Sequence, residues 1–302
     1  MSEPLPLAVP PERPQRIVFL GTPDDAVPSL RALVAAGHEV VLVVSGPDRR
    51  RGRRSAPTPT PVKAAAIELG LPVTTEVVDA LDVDADLGVV VAFGQLIRRP
   101  VLEQLPMLNV HFSLLPRWRG AAPVERAILA GDAETGVCIM GLEVGLDTGP
   151  VHSRATIPIT DTDTAATLRD RLAELGAALL VETLDAGLGE PEPQVGEPTH
   201  AAKFDTSDRR IDWTAASVDV HRLVRIGGAW TTFDGKRFKV HDVVPAGTGE
   251  IDGEPGALDG LHVVTGDGAV ELIAVQPEGK PRMDASAWQL GLRDDVDRVL
   301  GR

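Results

Sequence analysis

The chain has 302 residues, 43% of them hydrophobic and 25% charged, globular proportions that exclude a largely disordered or collagen-like polymer. Its formal net charge of -14 argues against broad, non-specific attraction to nucleic acid or anionic membrane, while leaving room for a local basic site. The single cysteine, Cys138, forbids an intramolecular disulfide and suits a reducing compartment, and the length predicts about two domains.

Residues 1–15 carry prolines at positions 4, 6, 10, 11 and 14 and lack the basic start and apolar stretch of a secretory signal, so they read as a flexible lead-in. No segment reaches the roughly 18 uninterrupted apolar residues of a membrane span, and a cytoplasmic chain without a membrane partner is expected. Ile17–Leu20 reads as a buried strand ending at Gly21, Val27–Ala36 as a helix stopped by Gly37, and Val40–Val44 as a second buried strand. Lys63–Leu69 reads as helix, Leu87–Ala92 as strand, Pro100–Leu105 as a short helix and Leu108–Phe112 as strand. Val124–Ala130 is helical and Val137–Leu142 strand-like. This alternation predicts an α/β domain over 16–188, a parallel sheet with crossover helices, closed by a long helix at Thr164–Leu184 capped by Asp163 or Thr164.

The texture then changes. Residues 189–204 read as a linker rich in Gly, Pro and Glu. Beyond it, short strand-like runs alternate with turns: Thr231–Phe233, Arg237–Val244, Leu261–Val264 and Ala269–Val275, with a hairpin turn at Asp234-Gly235. They predict a smaller β domain over 205–302, an open barrel ending in a helix near Ala285–Leu292.

Several chemistries are missing. The first strand is followed by Gly21-Thr22-Pro23-Asp24-Asp25, without the glycine pattern of dinucleotide binding, and no phosphate loop occurs. The seven histidines lack metal-ligand spacing, no metal is expected, and no serine elbow is present. What remains is dense around Asn109–Pro123. Asn109 and His111 leave the same face at the C-terminal end of a strand, where open α/β sheets bind ligands. Either they form an amide–imidazole pair for acyl transfer, or Asn109 caps a turn and His111 is an ordinary polar residue. Asp147, in Gly145-Leu146-Asp147-Thr148-Gly149-Pro150, either orients an imidazole or only shapes its turn. Arg49, Arg50, Arg51, Arg53 and Arg54 lie within six positions of an acidic chain, as a phosphate-binding loop or a solvated charge run.

Asn109-Val110-His111, Ser113–Pro123 (Ser-Leu-Leu-Pro-Arg-Trp-Arg-Gly-Ala-Ala-Pro) and Gly145–Gly149 together resemble the methionyl-tRNA formyltransferase family. Pro47-Asp48 through Lys63 is similar to that family's tRNA-contacting loop, and Ile211-Asp212-Trp213 and Gln276–Lys280 to its C-terminal domain. The resemblance implies a Rossmann-like formyltransferase domain followed by an OB-like β-barrel. It implies transfer of a formyl group from 10-formyltetrahydrofolate to the α-amino group of methionine on initiator tRNA. Asn109, His111 and Asp147 fall on the catalytic positions. Phe93, Gly94, Ser113, Leu114, Leu115 and Pro116 fall on the folate site. Arg49, Arg50, Arg51, Arg53, Arg54, Arg117 and Arg119 are then tRNA-binding candidates, and a monomer is expected. Two other readings are an N-formyltransferase for a sugar-nucleotide amine and a catalytically idle formylfolate- or RNA-binding module. Trp213, Trp230 and Trp288 read as core anchors of the second domain, and Cys138 as a buried small hydrophobe.

Overall fold

A computed structural model describes residues 5–50, 56–246, 253–293 and 298–302. The chain divides into two units, one of Met1–Val124, Glu134–Pro158 and Arg169–Ala201, the other of Glu125–Ala133, Ile159–Leu168 and Ala202–Arg302.

The first unit is built on β1 (Arg16–Gly21), helix α1 (Val27–Ala35), β2 (Glu39–Val44), a two-strand ribbon of β3 (Arg49–Arg50) and β4 (Pro57–Thr58), helix α2 (Pro61–Glu68) and β5 (Val73–Thr74). It continues through β6 (Leu87–Val91), α3 (Arg99–Leu102), β7 (Met107–His111) and β8 (Arg119–Gly120). In chain order there follow helix α4 (Pro123–Ala130), which from Glu125 onward belongs to the second unit, β9 (Glu134–Gly141), β10 (Val151–Pro158), α5 (Ala165–Ala186), which joins the first unit from Arg169, and β11 (His200–Ala201). The main sheet has seven strands in the order β10-β9-β7-β6-β1-β2-β5. Strands β5, β2, β1, β6 and β7 run parallel, and all of β6 and nearly all of β1 are buried, which is why both read as unbroken apolar runs. Helix α2 starts where Thr60 accepts from the Lys63 N–H at 3.2 Å, with Pro61 at the first helical position. Helix α5 starts at Thr164, whose hydroxyl accepts from the Thr167 N–H at 3.2 Å, and it packs on β7 and β9 through Gly176, where an added Cβ would lie 2.8 Å from Val110.

The sheet is parallel-rich, as the alternation predicts, and antiparallel at one end. Strand β9 runs antiparallel to β7, and β10 forms an antiparallel edge beside β9. The apolar run of β9 reports burial on both faces and is silent about direction. Strand β10 alternates half-buried and exposed residues, carries Arg154, and ends at Pro158, as an edge strand does. Residues 5–15, expected to be flexible, are instead tied down. The Ala8 N–H donates to Leu102 at 2.9 Å, the Leu188 N–H to Glu12 at 2.7 Å, and the Arg99 guanidinium to Leu5 at 2.6 Å. Proline-rich chain loses little entropy on ordering, so a few bonds suffice.

The second unit contains α6 (Ser217–Arg225), β12 (Trp230–Phe233), β13 (Lys236–Ala246), β14 (Leu258–Asp259), β15 (His262–Val264), β16 (Ala269–Pro277), β17 (Met283–Asp284) and α7 (Ala285–Leu290). Its sheet is antiparallel in the order β12-β13-β16-β15-β14, with β17 on β16, and among the described residues no ladder closes β12 onto β14. The Asp234-Gly235 turn has φ of 51° and 67°, the left-handed pair that a two-residue hairpin demands. Trp213, Phe238 and Trp288 are buried in one core, with the Trp213 Nε1–H on Thr231 at 3.0 Å. Trp230 departs from the core-anchor reading: it is half-buried, with the Arg237 guanidinium 4.4 Å above its ring.

Candidate active site

Strand β7 sits inside the sheet with β6 on one side and β9 on the other, so its last residue is carried to a fixed place. Leu108 and Val110 point into the core, and the alternation puts Asn109 and His111 on the opposite face. His111 is 6% exposed and Asn109 half-buried. The His111 Nε2 lies 3.0 Å from the Trp118 carbonyl. A carbonyl oxygen only accepts, so Nε2 carries the proton and Nδ1 is left for the other neighbour. That neighbour is Asp147, whose Oδ2 stands 3.8 Å from Nδ1 and accepts from the Gly120 N–H at 2.7 Å.

Both backbones that deliver these groups are unusual. Asp147 has φ of 50° and Trp118 φ of 64°, left-handed conformations that side chains with a Cβ rarely take. Asp147 is nonetheless only 9% exposed, between the exposed Leu146 and Thr148. Each strained residue is held by the segment after α5. The Trp118 N–H donates to the Thr199 hydroxyl at 2.8 Å and the Arg119 N–H to the Thr199 carbonyl at 2.9 Å. The Gln194 amide donates to the carbonyls of Asp147 at 2.9 Å and Gly149 at 2.8 Å. Its oxygen accepts from the Arg119 guanidinium, Nε at 3.0 Å and Nη2 at 2.7 Å. Beyond Thr199, β11 pairs with β8. Nothing in the composition of 189–204 marks Gln194 or Thr199 as functional; their role exists only in the fold.

The structure therefore brings His111 and Asp147 together and puts Asn109 on the same strand face. Phe93 is buried, its carbonyl accepting from Thr22 at 3.1 Å, while Gly94 is exposed with φ of 74°. Ser113 is fully buried and donates its hydroxyl to the Arg117 carbonyl at 2.6 Å, so it shapes the 113–117 turn. Leu115 packs with Cys138, Met140 and Val151, whereas Leu114 and Pro116 are half-buried. Burial pushes the Cys138 thiol above its ordinary pKa, which keeps it protonated and non-nucleophilic. Arg49 and Arg50 are exposed on the β3–β4 ribbon; Arg51, Arg53 and Arg54 lie outside the described residues. Arg117 is exposed with its guanidinium 4.5 Å over the Trp118 ring, and the half-buried Arg119 is engaged by Gln194. Among the described residues no group of three or more His, Cys, Asp or Glu side chains is placed to hold a metal ion.

Residues 15–184 match the formyl transferase family model, and residues 203–293 match the model of the formyl transferase C-terminal domain. A methionyl-tRNA formyltransferase of Jannaschia sp. (strain CCS1) is 50% identical over 303 residues, covering 94% of this chain and 99% of the relative. One from Paracoccus denitrificans (strain Pd 1222) is 49% identical over 294 residues, covering 92% and 97%. Among solved structures, an N-formyltransferase from Helicobacter canadensis, in complex with folinic acid and dTDP-3-aminofucose, aligns with a TM-score of 0.64. At 16% identity over 87% of this chain and 99% of that one, it shares the fold. HypX from Aquifex aeolicus in complex with tetrahydrofolic acid aligns at 0.63 with 23% identity over 91% of this chain and 47% of that one.

Proposed function

The chain belongs to the formyl transferase family, and from that premise we propose that it moves a formyl group from 10-formyltetrahydrofolate to the α-amino group of methionine on initiator tRNA. The observation that carries the reading is the buried His111–Asp147 pair at the end of β7, beside Asn109, in a chain about half identical, nearly end to end, to methionyl-tRNA formyltransferases. The methionine amine attacks the formyl carbon, and the carbonyl oxygen takes up the negative charge. The Asn109 amide donates to that oxygen. His111, held between the Trp118 carbonyl and the Asp147 carboxylate, steadies the same charge from beside it. The bond from the formyl carbon to N10 of the folate then breaks, N10 takes up a proton, and the new amide gives one up through Asp147, directly or by way of water. The products are formylmethionyl-tRNA and tetrahydrofolate.

Gly94, Leu114 and Pro116, the accessible members of the folate set, form its contact surface, and Phe93, Ser113 and Leu115 support them from below. Arg49 and Arg50 carry charge to the tRNA backbone together with Arg51, Arg53, Arg54 and Arg117. Arg119, held by Gln194, serves the site more directly than the tRNA. This reading makes the chain a cytoplasmic enzyme of translation initiation, acting as a monomer.

The test is a formyl-transfer assay with purified protein, 10-formyltetrahydrofolate and methionine-charged initiator tRNA. Elongator tRNA, free methionine and an amino-sugar nucleotide compete as acceptors, and tetrahydrofolate release is read in parallel. Formylation of the initiator tRNA alone is expected. Turnover with only the amino sugar would keep the catalytic residues and overturn the acceptor; folate binding without transfer to any acceptor would overturn the enzyme reading.

A further inference from the structure

We propose that Gln194 is a positioning residue of the formyl-transfer site, fixing the Asp147 carboxylate against His111 from a segment that otherwise only joins one part of the chain to the next. The inference rests on the reading of Asp147 and His111 as catalytic.

The amide of Gln194 is fully used. Its two N–H groups meet two carbonyl oxygens, Asp147 and Gly149, and its oxygen meets two guanidinium N–H groups of Arg119. This network also fixes the orientation of the amide, because a flipped group would face donors with donors and acceptors with acceptors. The two carbonyls flank Thr148, so Gln194 spans the turn in which Asp147 holds its left-handed backbone. Such a backbone costs about 1 to 3 kcal/mol and persists only where the surroundings impose it. Gly149 limits the alternatives further, since a Cβ there would lie 1.9 Å from the Gly141 carbonyl.

The other end of the clamp matters equally. Arg119 precedes Gly120, whose N–H donates to Asp147 Oδ2 at 2.7 Å. Gln194 thus ties the main chain around Asp147 to the side chain of the residue next to the donor that orients the Asp147 carboxylate. Loss of the amide frees both ends together. Misplacement of a catalytic group by about 1 Å can cost about 100-fold in rate. A glutamine is required rather than any polar residue: Gln194→Glu would keep the acceptor for Arg119 but set a carboxylate oxygen against two carbonyls.

The test uses the full-length enzyme with 10-formyltetrahydrofolate and methionyl-tRNA. Gln194→Leu and Gln194→Glu should each lower kcat about 10- to 100-fold, with the KM for the folate within about threefold of the parent and the protein still folded at the assay temperature. In an Asp147→Asn background the same Gln194 change should cost less than about threefold, because the residue acts through Asp147. The His111 ring titration, followed by nuclear magnetic resonance, should move in Gln194→Glu. If Gln194→Leu does not fold, Gln194→Glu, equal in size, carries the test. A folded variant with unchanged kcat and an unchanged His111 titration overturns the proposal, as does a Gln194 loss that multiplies fully with that of Asp147→Asn. Full turnover by Asp147→Asn would instead bring down the reading of Asp147 itself, and the clamp with it.

Discussion

Strand β7 and the segment 189–201 both reach the same site, and they are held by opposite means. Strand β7 is placed by burial: Met107, Leu108 and Val110 are in the core, strands lie on both sides, and His111 rides at its end. The segment has no apolar periodicity and a single buried residue, Ala201; it is fastened by polar bonds instead. Glu192 bridges to Val151, Gln194 makes four hydrogen bonds, and Thr199 grips Pro116, Trp118 and Arg119. Burial is non-directional and brings a chain to within a coarse distance, whereas hydrogen bonds fix angles. The site uses the first to place His111 and the second to aim what surrounds it.

The largest effect is expected at the end of β7. His111→Ala should cost at least about two orders of magnitude in kcat while folate binding, read by titration calorimetry, survives. Near-normal turnover would remove His111 from the mechanism. Leu108→Ala, three residues back along the strand, should leave the chemistry of the folded fraction intact but lower stability by about 3 kcal/mol in urea denaturation, since that side chain is fully buried. A loss below about 1 kcal/mol would mean that β7 is not placed by its core. Replacing Arg49 and Arg50 with glutamine should flatten the slope of log affinity for tRNA against log salt by about 1 to 2, one phosphate contact for each residue lost. An unchanged slope would show that the β3–β4 ribbon does not meet the RNA backbone.

The smallest effect concerns the polar fastening of the sheet itself. Asp86 accepts from the Arg16 and Gln15 N–H groups at 3.0 and 2.9 Å, and these bonds hold its carboxyl below the usual aspartate pKa. A depressed folded pKa gives stability above the unfolded value of about 3.9 that is lost as pH falls through the folded value. Asp86→Asn should therefore cost under about 1 kcal/mol at pH 7, and the gap from the parent should close below about pH 4. A gap that persists in acid would locate its origin in packing rather than in charge.

Legibility followed the same division. Strands β1, β2, β6, β7 and β9 were readable because continuous burial writes itself as apolar runs, and the Asp234-Gly235 hairpin because only certain residues accept its backbone. The direction of β9 was not readable, and β10 and α6 went unread, one an edge strand of alternating exposure and the other a short helix of mixed Val, Arg and Asp. In the site, Asn109 and His111 stood out by lying two apart at the end of an apolar strand and Asp147 by its glycine-flanked turn, and the resemblance alone joined them as a trio. Gln194 and Thr199 did not, because their partners are backbone carbonyls and N–H groups, which have no sequence signature. Arg119 reads as a free cation for RNA until its guanidinium is seen in the hands of Gln194.

The pairing of β11 with β8 has a consequence in time as well as in space. Gln194 lies 75 residues beyond Arg119, and Thr199 lies 81 beyond Trp118. A chain growing from its N-terminus has made Asn109, His111 and Asp147, the three side chains proposed as catalytic, once Asp147 is joined, yet the fastening from Gln194 comes some fifty residues later in synthesis. Contacts this distant in sequence form late, since the intervening chain must first be closed into a loop. The nascent chain thus carries His111 and Asp147 unaimed until the last residues of its first unit arrive.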